Sequence, residues 1–268
     1  MRLKVSLAQI DIISGKPEAN LKKAEGLIAE AASRGSSLVC LPEMWTTGFE
    51  WTYIDSNYSL QGPVIEAISE MANRYKIFIN GSLLTKNQQD RPTNTSILFG
   101  PSGDILATFD KVHLFPLIGE DLHLTPGSSL TLVDTLWGPT GLAICYDLRF
   151  PELFRAYGVA GAKVVLLSAA FPHSRVQHWQ TLIRARAIEN EYFMIATNRV
   201  GKEGDTVFGG SSAVIDPWGE VIIEGKVDEE GLIDAEIDLA MVDEVRLRIP
   251  VYKARRPEVY GYIWTQMS

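Results

Sequence analysis

Apolar and polar positions along this 268-residue chain switch repeatedly between two periods. Residues 3–10 (LKVSLAQI) alternate with period two and are rich in β-formers, which predicts a strand. Residues 17–35 carry Leu21, Ala24, Leu27, Ile28 and Ala31 at helical spacing, start at Pro17 and stop at Gly35. That is the punctuation of an amphipathic helix. SSLVCLPE (36–43) is short and apolar, as a buried parallel strand is. A second Pro-initiated helix is predicted over 63–75 and a strand over 76–86. Further strands are predicted over 94–111, folded by a PSGD turn, and over 130–145, folded around Gly138–Pro139. After Cys145 come a helix near 151–160, the strand KVVLLSAAF (163–171), a helix over 175–191 and the strand YFMIATNRV (192–200). A hairpin over 209–226 turns at Asp216–Gly219. A strand over 231–238, a short charged helix and a Pro-bearing tail (249–268) close the chain.

No linker, low-complexity segment or internal repeat divides this pattern, so residues 1–268 read as one α/β domain. Interleaved helices and strands with hairpins among them suit a four-layer α-β-β-α sandwich, two mixed β-sheets flanked by helices. A hydrophobic fraction of 46% supplies its core. Net charge is −8 with no Lys/Arg cluster, which excludes nucleic acid as the expected partner. The N-terminal stretch is interrupted by Lys4, Gln9 and Asp11, and reads as a strand rather than a signal peptide. No apolar run is long enough to span a bilayer. The expectation is a soluble, cytoplasmic protein with no membrane partner. Two cysteines make no disulfide framework, and the sequons at Asn57 and Asn94 carry no weight without a secretory signal.

The signatures of phosphate loops, dinucleotide sites, zinc sites and α/β-hydrolase serines are absent. Three polar residues instead end predicted apolar strands: Glu43 after SLVCLP, Lys111 after ILATFD and Cys145 after GLAI. Carboxyl ends of strands are where ligands bind in α/β sheets. A thiol is a strong nucleophile once deprotonated. A desolvated glutamate takes its proton and later delivers it to a leaving amine. An ammonium beside the attacked carbonyl stabilises the oxyanion, aided by the N–H of Tyr146. The same residue types also occur for ordinary reasons. Cysteine in an apolar strand is a small core hydrophobe, as Cys40 in LVCLP is read to be. A lysine before VHLFP is commonly a solvated charge, and a glutamate after LP a loop carboxylate or helix cap.

The blocks LPEMWTTGF (41–49), DKVHLFP (110–116) and GLAICYDLRFPELFR (141–155) occur in this order. With HWQTLIRARAIENEYFMIATNRVG (178–201), GGSSAVIDPWGE (209–220) and the tail RRPEVYGY, they resemble the nitrilase, or carbon–nitrogen hydrolase, superfamily over nearly the whole chain. The resemblance implies an α-β-β-α sandwich and a triad of Glu43 as general base, Lys111 as oxyanion stabiliser and Cys145 as nucleophile. It also implies a second glutamate, Glu120 in GEDLHLTPG, which orients Lys111 or assists the water step. No metal or cofactor is implied. Asp147 and Arg149 are expected to organise the turn after Cys145 by ion pairing. Within the superfamily the blocks look most like the omega-amidase branch, which hydrolyses the terminal amide of short dicarboxylic monoamides such as 2-oxoglutaramate. That substrate asks for a cation at the far end of the pocket: Arg149 or Arg175. Phe49, Phe171, His173 and Trp179 are candidate pocket residues, while His113 and His178 are expected to hold loops. The family pairs about a two-fold axis, so a homodimer using the helices after Cys145 and the tail is expected. Hydrolysis of N-carbamoyl amines, deaminated glutathione or nitriles would use the same triad. Two readings lie outside it: a Cys–His enzyme pairing Cys145 with His173 or His178, and a non-catalytic scaffold or binding protein that kept the fold.

Overall fold

The computed structural model describes residues 1–54, 59–87 and 89–264; Asn57 of the first sequon and the last four residues of the tail lie outside them. In chain order the first sheet is built from β1 (Arg2–Gln9), β2 (Leu38–Cys40), β3 (Phe78–Lys86), β4 (Pro92–Phe99) and β5 (Ile105–Asp110). Helices α1 (Pro17–Ser33) and α2 (Pro63–Tyr75) connect the parallel strands. A single helical turn, α3 (Glu120–His123), leads to the second sheet. That sheet holds β6 (Leu132–Thr135), β7 (Gly138–Ile144), β8 (Val164–Ala169) and β9 (Phe193–Asn198), with α4 (Pro151–Val159) and α5 (Val176–Asn190) between the parallel members. A small hairpin, β10 (Lys202–Glu203) and β11 (Thr206–Val207), precedes β12 (Ala213–Ile215) and the edge strand β13 (Val221–Glu224). The chain then returns to the first sheet as β14 (Gly231–Asp238) and ends in α6 (Ala240–Arg248), α7 (Val251–Ala254) and α8 (Pro257–Trp264).

The two six-stranded sheets run β14-β1-β2-β3-β4-β5 and β13-β12-β9-β8-β7-β6. Period-two alternation decides how they pack. Leu3, Val5 and Leu7 of β1 join Leu38 and Cys40 of β2 in one core with Leu166, Ile195 and Val214 of the other sheet. The alternate residues Ala8, Val39 and Leu41 face α1 and α2, where Ala24, Ile28, Ile68 and Met71 close a second core. On the far side Phe154 and Tyr157 of α4 and Trp179, Ile183 and Ala187 of α5 cover the second sheet. The α-β-β-α sandwich of two mixed sheets is the observed architecture.

Some boundaries move. The strand expected over 36–43 is regular only over Leu38–Cys40, because Pro42 has no N–H to give to a ladder and Met44 has a positive φ of 49°. The hairpin between β6 and β7 turns at Leu136–Trp137, and Gly138–Pro139 open β7 instead of forming the turn. The tail carries two short helices, α7 and α8.

Candidate active site

β5 runs antiparallel to β4 and β4 antiparallel to β3, so β5 points the same way as β2. Their carboxyl ends therefore share one edge. The carboxyl ends of β7 and β8 face them from the other sheet, through contacts of β3 with β8 and of β5 with β7. The loop carrying Glu43 is held by both sheets: Ser168 donates to the Leu41 carbonyl (2.9 Å), Met44 N–H to Ser82 Oγ (3.0 Å) and Glu43 N–H to the Ala169 carbonyl (3.3 Å). Lys111 is pinned through its own N–H to Asn94 O and its carbonyl from Gly127 N–H, both at 2.8 Å. A Cβ at Gly127 would lie 2.1 Å from the Asp110 carbonyl, so only glycine fits beneath the lysine.

The side chains converge on the Lys111 ammonium. It donates to Glu43 Oε1 (2.7 Å) and to Glu120 Oε1 (2.9 Å) and Oε2 (2.7 Å), and all three residues are at most 1% exposed. Asn94 Nδ2 bridges the two carboxylates, at 2.9 Å from Glu43 and 3.1 Å from Glu120. Backbone N–H groups complete the set: Ala170 to Glu43 Oε2 (3.0 Å) and Phe115 to Glu120 Oε2 (2.7 Å). Burial alone acts to lower the Lys111 pKa, but Glu120 and then Glu43 outweigh it and hold the ammonium charged well above its usual range. Burial pushes the Glu43 carboxyl up, and Lys111 opposes that. A buried charge stripped of such partners costs about 3–5 kcal/mol, which is why the set comes as a unit.

Cys145 follows β7 and opens a 3-10 turn through Arg149 with a φ of 42°. That left-handed conformation is costly for a residue with a Cβ. Its half-buried thiol hydrogen-bonds Glu43, and its pKa is pushed well above the ordinary value, first by burial and next by the Glu43 charge; Lys111 and the Ala170 N–H pull the other way. The thiol is thus neutral at rest, with a carboxylate in contact to receive its proton. Asp147 organises the turn, as expected, but its partner is His113 and not Arg149: one oxygen accepts from the Ile144 N–H, the other from the His113 N–H and ring. Tyr146 follows the thiol in the turn, with its ring against Phe115 and Phe150.

A cavity of about 600 Å³ opens beside this cluster and touches it at Ala170 and Phe115. Of the candidate pocket residues, Phe49, His173 and Arg175 line it. Three others do not. Trp179 is fully buried on the core face of α5 and donates its indole N–H to Ser211 O (2.8 Å). Phe171 packs against Trp179, and the Arg149 guanidinium lies over the Phe171 ring at 5.3 Å while reaching His178. Arg175 is the arginine in the cavity wall, its guanidinium 5.6 Å from the Phe115 ring. The thiol's partners are Glu43, Lys111 and the Ala170 amide; His178 hydrogen-bonds Arg149, His173 lines the cavity, and neither histidine is among the groups that act on the thiol.

The pattern reading missed Asn94, Glu203 and Trp51. Asn94 had a visible signal: the run TNTS (93–96) puts four polar residues, all buried, side by side in a strand. Glu203 and Trp51, both cavity residues, had none. Among the described residues, no cluster of three or more His, Cys, Asp or Glu side chains fits a metal ion, and no helix is long and apolar enough to cross a membrane.

The family model described as carbon-nitrogen hydrolase matches residues 4–247. The chain is 38% identical over 261 residues to the 2-oxoglutaramate amidase of Bacillus subtilis, covering 97% of this chain and 100% of that protein. It is 33% identical over 267 residues to the omega-amidase of Mus musculus, covering 96% of each. A crystal structure from Xanthomonas campestris, of a CN-hydrolase superfamily protein with an arsenic adduct in its active site, superposes with a TM-score of 0.89 at 32% identity, over 96% of this chain and 98% of that one.

Proposed function

The chain belongs to the carbon–nitrogen hydrolase family and is an amidase-type hydrolase, and from that premise we propose that it cleaves the terminal amide of a short dicarboxylic monoamide with Cys145 as nucleophile. The observation that carries the reading is the Lys111 ammonium held between Glu43 and Glu120 beside the Cys145 thiol, at the edge of a cavity whose wall contains Arg175.

The chemistry follows from the geometry. Glu43 takes the thiol proton as Sγ attacks the amide carbon. The Lys111 ammonium and the Tyr146 N–H stabilise the oxyanion, each such donor being worth about 10²–10³ in rate. Collapse breaks the C–N bond while Glu43 returns the proton to nitrogen, which leaves as ammonia. Water then attacks the thioester, gives a proton to Glu43, and the acid departs as the proton returns to sulfur. Glu120 holds Lys111 with both oxygens and so fixes the ammonium at the oxyanion position. Arg175 pairs with the free carboxylate of the substrate. No cofactor is needed for any step. The similarity to a 2-oxoglutaramate amidase and to an omega-amidase over their full lengths supports the substrate class. We further propose a cytoplasmic homodimer, paired through α4, α5 and the tail.

Ammonia release from 2-oxoglutaramate, succinamate, glutamine, an aliphatic amide, a nitrile and an N-carbamoyl amine tests this. Turnover of the first two, lost in Cys145→Ala and reduced at least tenfold in KM terms by Arg175→Met, is the expected result. Turnover confined to the nitrile or the carbamoyl amine moves the substrate class. Absence of turnover and of any acyl adduct on Cys145 leaves a scaffold.

A further inference from the structure

The cavity has two walls from distant parts of the chain. One is formed by Phe49 and Trp51, just after the turn that starts at Glu43; the other is the β10–β11 hairpin, whose Glu203, Thr206 and Val207 also line the cavity. They meet at one carboxylate. Glu203 Oε1 accepts the Phe49 N–H (2.9 Å) and the Ser14 hydroxyl (2.9 Å), and Oε2 is ion-paired with Arg199 Nη1. The first wall is shaped for this contact: Gly48 has a φ of +64°, and a Cβ there would lie 3.0 Å from the Glu203 carboxylate. Any other residue at position 48 would be strained by the positive φ and would press on the Glu203 carboxylate.

Arg199 is the buried half of the pair, with no exposed surface. Its Nη2 donates to Ile12 O (2.8 Å), and the guanidinium lies 4.0 Å from the ring centre of Phe208, another cavity residue. Its backbone N–H donates to the Ala169 carbonyl (3.2 Å), the same oxygen that holds the Glu43 N–H. One carbonyl thus ties the general base and the bracket together. The pairing also settles an electrostatic conflict. A lone Glu203 in this wall would repel an anionic substrate, and a lone buried guanidinium would be costly; Arg199 offsets the Glu203 charge, and Asp11 at 3.7 Å adds a second carboxylate to the buried guanidinium.

We propose that Arg199 and Glu203 are positioning residues that join the two cavity walls into one jaw, setting how tightly substrate is held rather than how fast Cys145 reacts. The inference rests on the amidase reading of the cavity for its kinetic consequence, and on the contacts above for its mechanical one.

Two measurements on the full-length protein test it. Amide hydrogen exchange needs no substrate: in Glu203→Ala the Phe49 amide should exchange at least about tenfold faster, while the amides of β8 keep their protection. Steady-state kinetics on succinamate should show KM raised about tenfold with kcat within about threefold of the wild type. Glu203→Gln keeps an acceptor for Phe49 and loses only the charge, so it should fall between the two and serves if Glu203→Ala does not fold. Unchanged Phe49 exchange in a folded variant overturns the bracket, and so does a loss confined to kcat. If the wild type releases no ammonia from succinamate, the monoamide reading falls, and the exchange result alone decides whether the walls are joined.

Discussion

Cys40 and Cys145 both stand at the carboxyl end of a strand in a buried parallel run, one in each sheet. Cys40 lies in the core between the sheets, 2% exposed, and its thiol is pushed up by burial and nothing else. Cys145 is also pushed up by burial, yet Glu43, Lys111 and the Ala170 N–H all act on it, and its backbone is left-handed. Neither thiol ionises readily. On the proposed mechanism, what separates an inert thiol from a nucleophile here is not a depressed pKa but a base within hydrogen-bond reach and a cation where the new charge would form.

That contrast can be broken in stages. The largest effect is expected from the thiols themselves: Cys145→Ala should lower ammonia release by at least about 10⁴, whereas Cys40→Ala should leave it within a few-fold. Next, Lys111→Ala should cost about 10²–10³ in kcat and also lower the unfolding temperature, since Glu43 and Glu120 lose their shared cation. A Cys–His mechanism would leave kcat nearly unchanged while the unfolding temperature still fell. Glu43→Gln separates base from nucleophile. The Glu43 charge raises the Cys145 pKa, so its removal should move the pH profile of Cys145 alkylation to lower pH, even as turnover is lost. In the wild type Glu43 must be ionised to act, and burial raises its pKa. The acid limb of kcat/KM should then fall at a pH above the ordinary glutamate value of about 4.3. The smallest effect is structural: Cys40→Ala should cost about 1 kcal/mol by emptying core volume, a drop of roughly 2–4 °C in calorimetry.

Much of this was legible in the chain. Leu3, Val5 and Leu7 against Ala8 state the two faces of β1 outright, and Pro17 and Pro63 mark helix starts that the structure keeps. Glu43, Lys111, Glu120 and Cys145 stand in recognisable blocks because local sequence must shape each strand exit. The rest of the site is tertiary. Asn94 reaches the carboxylates only because β4 lies between β3 and β5, and the Ala170 N–H only because one sheet is stacked on the other. Arg149 and Trp179 were attractive by proximity to the motifs, but helical phase turns Trp179 into the core and a ring contact holds Arg149 outside the cavity. The β10–β11 hairpin, with two residues in each strand, is too short to leave a period in the pattern.

β1 lies inside its sheet, between β2 and β14, and pairs with β14 along its whole length, from Arg2 with Asp238 to Gln9 with Gly231. β1 thus waits for a strand made much later in the chain. At roughly 5–20 residues per second of translation, the delay is on the order of tens of seconds. Throughout it the nascent chain carries an apolar strand with one open edge, the kind of surface that chaperones shield and that neighbouring chains on a polysome would otherwise pair with.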